Sequence, residues 1–191
     1  MKRKICKWLL RRMGWTIGPS GANMSKCVIC VAPHTSNIDF IVGQLFYAST
    51  GRQAHFLIKK EWFFPPLSFI FKSMGGIPIN RKKNTSKTEQ LAKEFARRDA
   101  FRLVVTPEGT REKVNEWRKG FYYIALKAQV PIQIAYIDYG TKEVGVGMTF
   151  YPTGNADKDI RAIRSCYQGM QGRHQEKFGK LEYGKLSRYG Y

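Results

Sequence analysis

Val28-Ile29-Cys30-Val31-Ala32-Pro33-His34-Thr35-Ser36-Asn37-Ile38-Asp39 is a strand, a turn and the start of a helix, written in that order. The five apolar residues before Pro33 read as a buried strand, and a helix is expected from Ile38 to Ser49. Each helical residue turns the chain by roughly 100°, so positions five apart on one helix point in different directions. His34 and Asp39 therefore meet only if the histidine stands in the turn and the aspartate in the first helical turn. That places an imidazole at the carboxyl end of a strand, with a carboxylate to fix its tautomer. Such a pair suits a general base that takes a proton from a hydroxyl. Taken alone, His-x4-Asp favours a blander reading, a turn histidine beside a helix-capping aspartate.

Outward from this stretch, strands and helices alternate. Strands are expected at residues 27–32, 54–58, 76–80, 102–106, 132–137 and 144–150. Helices are expected from about Ser86 to Arg98, through Trp117, Phe121, Ile124 and Ala128, and from Asp157 past Tyr167. Gly14, Gly18, Pro19 and Gly21 read as a break before the first strand. The pattern implies an α/β fold: one domain with a central mixed, mostly parallel sheet flanked by helices. In such sheets ligand groups collect beyond the strand ends. His34, Arg81 and Glu108 each follow an expected strand, which supports one shared site.

Three further blocks accompany the His-x4-Asp pair: Gly76-Ile77-Pro78-Ile79-Asn80-Arg81, then Pro107-Glu108-Gly109-Thr110-Arg111, then Val130-Pro131-Ile132. Over roughly residues 26 to 155 their order and spacing resemble the glycerolipid acyltransferase family, the PlsC-like enzymes typified by lysophosphatidate acyltransferase. Glu-Gly-Thr-Arg after a strand is the most specific element. The chain departs from the family at Pro33, where the family usually has Asn, so any orienting role of that Asn is lost or moved.

The resemblance implies transfer of a fatty acyl group from acyl-CoA or acyl-acyl carrier protein to a lysophospholipid hydroxyl. No cofactor is implied beyond that co-substrate, and no metal. His34 would take the hydroxyl proton and Asp39 would hold the imidazole. Arg81 and Arg111 match the family's phosphate-binding arginines, and Lys59 aligns with a basic position. Glu108, Gly109 and Thr110 complete the acceptor site. Glu108 is expected to orient Arg111 or an acceptor hydroxyl, and Gly109 to let the backbone approach the anion. Backbone N–H groups at the start of the Ile38 helix are candidate oxyanion donors. Val130-Pro131-Ile132 is expected to shape a pocket wall. Ser36 is set aside as a nucleophile.

Charge points to an anionic partner. The 33 Lys and Arg outnumber the 14 Asp and Glu, for a net +19,. Residues 1–25 read as a basic amphipathic membrane-association segment. Its helix, residues 2–13, has Ile5, Trp8, Leu9 and Met13 on one side. Residues 26–178 are expected to form the acyltransferase domain that the resemblance implies, and 179–191 a flexible C-terminal tail. Trp62 to Phe71, with five aromatics in ten residues, reads as a lining for an acyl pocket or a dip into the membrane interface. Pro65 and Pro66 forbid one continuous helix there. No apolar run is long enough to span a bilayer, and no secretory signal is expected. The expected location is the cytoplasmic face of the membrane, peripheral or monotopic. Cys27 and Cys30 read as core residues rather than a metal or redox pair.

A binding protein is the rival class. The charge and aromatic content fit a nucleic-acid binder, but no helix-turn-helix, zinc-finger or RNA-binding signature accompanies them. A catalytically degenerate peripheral membrane protein, or a binder of another anionic ligand, is the alternative that Pro33 keeps open. A thioester hydrolase is a third.

Overall fold

A computed structural model describes residues 2–79 and 87–178, apart from the side chains of Lys59, Trp62 and Ile79. The elements run α1 (Lys2–Arg12), β1 (Thr16–Ser20), β2 (Lys26–Ala32), α2 (Ile38–Thr50), β3 (Phe56–Lys59), α3 (Leu67–Ser73), β4 (Gly76–Ile79), α4 (Lys87–Arg97), β5 (Phe101–Val105), α5 (Gly120–Ala128), β6 (Ile132–Asp138), β7 (Glu143–Phe150) and α6 (Ala156–Ser165). Five strands form the main sheet in the order β1-β7-β6-β2-β5. Only β6 and β7 are antiparallel; the other neighbours are parallel. The expected α/β architecture, a mostly parallel mixed sheet flanked by helices, is the one observed. β3 and β4 form a parallel pair. His55 carries this pair against the β5 edge, donating its N–H to Arg102 O at 2.7 Å and accepting from Val104 N at 2.8 Å.

β2 lies inside the sheet, between β6 and β5, because both of its faces are apolar. Alternate strand residues face opposite sides. Val28, Cys30 and Ala32 join a core with Leu91, Phe95, Phe121 and Ile163. Cys27 and Ile29 join another with Leu10, Trp15, Val42 and Phe46. The two cysteines thus point away from each other and cannot grip one ion. Burial pushes both thiols up to about 12, so they stay neutral as core residues do,.

Several local expectations are revised. The glycine-rich stretch after α1 is a strand, β1, at the sheet edge beside β7. An edge strand tolerates Pro19 because one side of its backbone needs no ladder partner. α5 starts at Gly120 rather than Trp117, although Trp117 is still buried, edge-on to Phe121 and Tyr167. α6 is capped by Asn155, whose side chain accepts the Lys158 N–H at 3.1 Å, and it ends before Tyr167,. Ser86, the expected cap of α4, lies outside the described residues. Within the Trp62–Phe71 stretch a helix, α3, begins only after Pro66 and continues to Ser73.

α1 docks on α2 through Cys6 and Leu10, not through the apolar stripe read from the sequence. Ile5, Trp8 and Met13 face outward, Trp8 with 60% of its surface exposed. No helix among the described residues is long and apolar enough to cross a membrane.

Candidate active site

The turn after β2 is organised around one carboxylate. Asp39 follows the first residue of α2, with its side chain only 2% exposed. Its Oδ2 accepts the backbone N–H of Thr35 and of Ser36, each at 2.9 Å. The same oxygen lies 3.2 Å from His34 Nδ1. Nδ1–H donates to Asp39 in this geometry, which leaves Nε2 as the free proton acceptor. The imidazole is 20% exposed, so solvent or a substrate can reach it. Burial pushes the Asp39 carboxyl upward, but hydrogen bonds from His34, Tyr139 and the Ser36 N–H outweigh it and hold the group below its ordinary value,. Asp39 is therefore the ionised, fixed partner of the pair.

The same bonds revise the oxyanion expectation. Thr35 and Ser36 N–H serve Asp39. Ile38 N–H donates to Ser36 Oγ at 3.2 Å, and the Asp39 and Phe40 N–H groups close turns on Ser36 O and Asn37 O. The amides that open α2 are thus engaged within the turn. Ser36 itself acts as a turn residue, as its side-chain bond to Ile38 shows.

Glu108 makes a contact that the sequence does not reveal. Its Oε2 accepts the His34 backbone N–H at 3.0 Å, tying the loop after β5 to the histidine turn. This contact holds the His34 backbone where Pro33 supplies no polar side chain. Glu108 is 5% exposed, and burial pushes its carboxyl up to about 8; the His34 N–H opposes the shift and the Asp39 charge adds to it. Gly109 has φ +66°, and a Cβ there would lie 2.5 Å from Arg118 Cδ. Glycine is therefore required by its left-handed backbone and by the packed arginine, whatever the ligand. Thr110 Oγ1 accepts the Glu112 N–H at 3.3 Å, a local turn contact. Arg111 donates to Asn37 Oδ1, which draws its guanidinium to the histidine turn.

A cavity of about 680 Å³ opens beside this cluster. His34, Asp39, Thr110 and Arg111 stand on its wall. Most of the remaining lining is apolar: Phe40 and Tyr47 of α2, Phe56 and Leu57 of β3, and Val104 and Val105 of β5. Among the described side chains of the Trp62–Phe71 stretch none lines the cavity; Phe64, Phe69 and Ile70 point outward instead, Phe69 with 72% of its surface exposed. Val130 and Ile132 are buried in the core on the α5 side of the sheet, so Val130-Pro131-Ile132 does not shape this cavity. The backbone of Lys59 ends β3. Arg81 lies outside the described residues.

Two features of the site carry no sequence motif. Tyr139, just past β6, donates its hydroxyl to Asp39 Oδ1 at 2.7 Å. The segment after α6 crosses the histidine turn: the His174 N–H donates to Thr35 Oγ1 at 3.2 Å, and Lys177 Nζ reaches Glu112 Oε1 at 2.8 Å. All three contacts join residues far apart in the chain, which spacing alone does not reveal.

The Acyltransferase family profile matches residues 5–138. None of the curated proteins matches the chain significantly. Among solved structures, the chain is similar to the crystal structure of the 1-acyl-sn-glycerophosphate (LPA) acyltransferase PlsC from Thermotoga maritima. The TM-score is 0.59 at 16% identity, over 86% of this chain and 74% of that one. At that identity the likeness speaks for the fold.

Proposed function

The chain belongs to the Acyltransferase family, and from that premise we propose that it moves a fatty acyl group from acyl-CoA or acyl-acyl carrier protein to the hydroxyl of a lysophospholipid such as 1-acylglycerol-3-phosphate. The observation that carries this reading is the His34–Asp39 contact at the wall of a largely apolar cavity that also holds Arg111. His34 Nε2 takes the proton of the acceptor hydroxyl as its oxygen attacks the thioester carbonyl carbon. The carbon–sulfur bond of the tetrahedral intermediate then breaks, and the leaving thiolate recovers the proton from the imidazolium. The products are an ester and a free thiol. Proton transfer of this kind contributes ~10²- to 10⁴-fold in rate, and positioning a reactive thioester supplies much of the remainder.

The cavity suits the acyl chain, and Arg111 suits the acceptor phosphate through its fork of donors. Arg81, Lys59, Gly109 and Thr110 are proposed to complete the phosphate site, with Glu108 bracing the histidine turn. We further propose peripheral attachment at the cytoplasmic face of an anionic membrane. The outward Ile5 and Trp8 on a helix that also bears Lys4, Lys7 and Arg11 support it,.

The test is release of free thiol from acyl-CoA with and without lysophosphatidate, with the product identified by mass spectrometry. Lysolipid-dependent release that His34→Ala abolishes is the expected result. Release independent of the lysolipid would indicate thioester hydrolysis and overturn the acceptor assignment.

A further inference from the structure

We propose that Tyr139 is a positioning residue for the transfer, its hydroxyl locking the Asp39 carboxylate so that one oxygen is reserved for the histidine turn. The inference rests on the acyl-transfer reading above and adds a third member to its His–Asp pair. Tyr139 stands one residue past the family match, which ends at 138.

The two oxygens of Asp39 have divided duties. Oδ2 receives His34 Nδ1 and the N–H groups of Thr35 and Ser36. Oδ1 receives the Tyr139 hydroxyl at 2.7 Å. With the side chain 2% exposed, bulk water is poorly placed to substitute for that donor. Loss of the hydroxyl would leave a buried carboxylate oxygen without its donor and would weaken the hold on the carboxylate's terminal torsion.

Tyr139 is itself fixed from two distant parts of the chain and by a near neighbour. Trp15, just after α1, meets its ring edge-on at a centroid distance of 4.9 Å. Lys142 Nζ lies 5.1 Å from the ring centre. The Tyr139 N–H donates to Gln171 O at 2.8 Å, and the Gln171 N–H in turn donates to Asp138 Oδ1 at 2.9 Å. A tyrosine that served only as core would need the ring; here the hydroxyl meets the catalytic carboxylate. Burial and the Asp39 charge both push that hydroxyl well above its ordinary value, so it remains a donor over the working pH range.

The titratable and charged groups around the pair stay as they are when the hydroxyl is removed. Glu108 faces it from the loop after β5, Arg111 from the same loop through Asn37, and Lys142 and Arg173 face Tyr139. None of these changes in Tyr139→Phe. The carboxylate loses a neutral donor, its charge acts more strongly on the imidazolium, and His34 becomes more basic.

The experiment compares wild type, Tyr139→Phe and a protein carrying 3-fluorotyrosine at 139, using steady-state kinetics and NMR titration of His34. For Tyr139→Phe we expect kcat to fall roughly tenfold, with KM for donor and acceptor within about twofold and the His34 NMR titration displaced upward. The acid limb of kcat/KM should move with it. Fluorotyrosine keeps the ring packing and strengthens the donor, so it should move His34 the other way. It also preserves the test if the phenylalanine variant folds poorly. Trp15→Phe loosens the same ring without touching Asp39 and should leave the His34 titration in place. Wild-type kcat with an unmoved titration in Tyr139→Phe, or a Trp15→Phe shift equal to the Tyr139→Phe shift, overturns the proposal. The readouts also separate the two claims. Wild-type turnover with an indifferent His34 sinks the positioning role alone; a responsive His34 in a protein that transfers no acyl group sinks the acyl-transfer reading alone.

Discussion

Replacing Glu108 with Gln should change how stability depends on pH. Glu108 is buried, and its carboxyl is pushed from an ordinary 4.5 up to about 8, first by burial and then by the Asp39 charge. The folded protein therefore holds a proton between pH 4.5 and 8 that the unfolded chain releases. Stability is full below about pH 4.5 and drains away as pH climbs to about 8. At about 1.4 kcal/mol for each unit, that climb costs on the order of 5 kcal/mol. Local rearrangement and entry of water into the loop reduce it, and we expect a loss of at least about 2 kcal/mol. Glutamine keeps an acceptor for the His34 N–H but cannot ionise, so Glu108→Gln should lack this loss. Asp39, held low, works in the opposite direction: its contribution is present above its unfolded value of 3.8 and is lost only as pH falls further. Cys27 and Cys30, raised to about 12, matter only above pH 9. The assay is urea unfolding of both proteins at half-unit steps from pH 5 to 8.5. A wild-type curve that falls away from the Glu108→Gln curve is expected. Two curves that stay parallel across the range would refute the claim that burial keeps Glu108 protonated.

Arg111→Ala should raise KM for lysophosphatidate by roughly ten- to a hundredfold, the worth of one charge-assisted contact, with kcat little changed. The loss should vanish with monoacylglycerol as acceptor; an equal loss with both acceptors would remove Arg111 from the phosphate site. The double substitution Ile5→Glu and Trp8→Glu should weaken sedimentation with phosphatidylglycerol vesicles more than tenfold, since it replaces two apolar contacts with charges. Melting temperature should barely move, because both side chains point outward. Undiminished vesicle binding would rule out α1 as the anchor.

Much of this protein is legible along the chain because the physics involved is local. The unbroken apolar run Val28–Ala32 makes an interior parallel strand, and a histidine placed just after it stands at the strand end. His34 and Asp39 are five residues apart across a strand-to-helix turn, so their meeting follows from chain geometry, and the structure brings them to 3.2 Å. β1 was hidden because Pro19 and its neighbouring glycines weaken strand propensity, and pairing with β7 outweighs that,. The inward stripe of α1 was hidden for a related reason: periodicity reveals that a helix has an apolar side, but the partner surface decides which residues are buried. Against α2 those are Cys6 and Leu10.

The chemistry of the residues was thus written in one dimension, and their duties were assigned in three. Glu108 meets the backbone of a residue 74 positions away, and Tyr139 meets a carboxylate 100 positions away. Such contacts depend on which strands lie side by side. β2 is flanked by β5 and β6, so the loops following those two strands converge on the histidine turn. Strand order arises from the burial of all the strands together, and no spacing within a single segment encodes it.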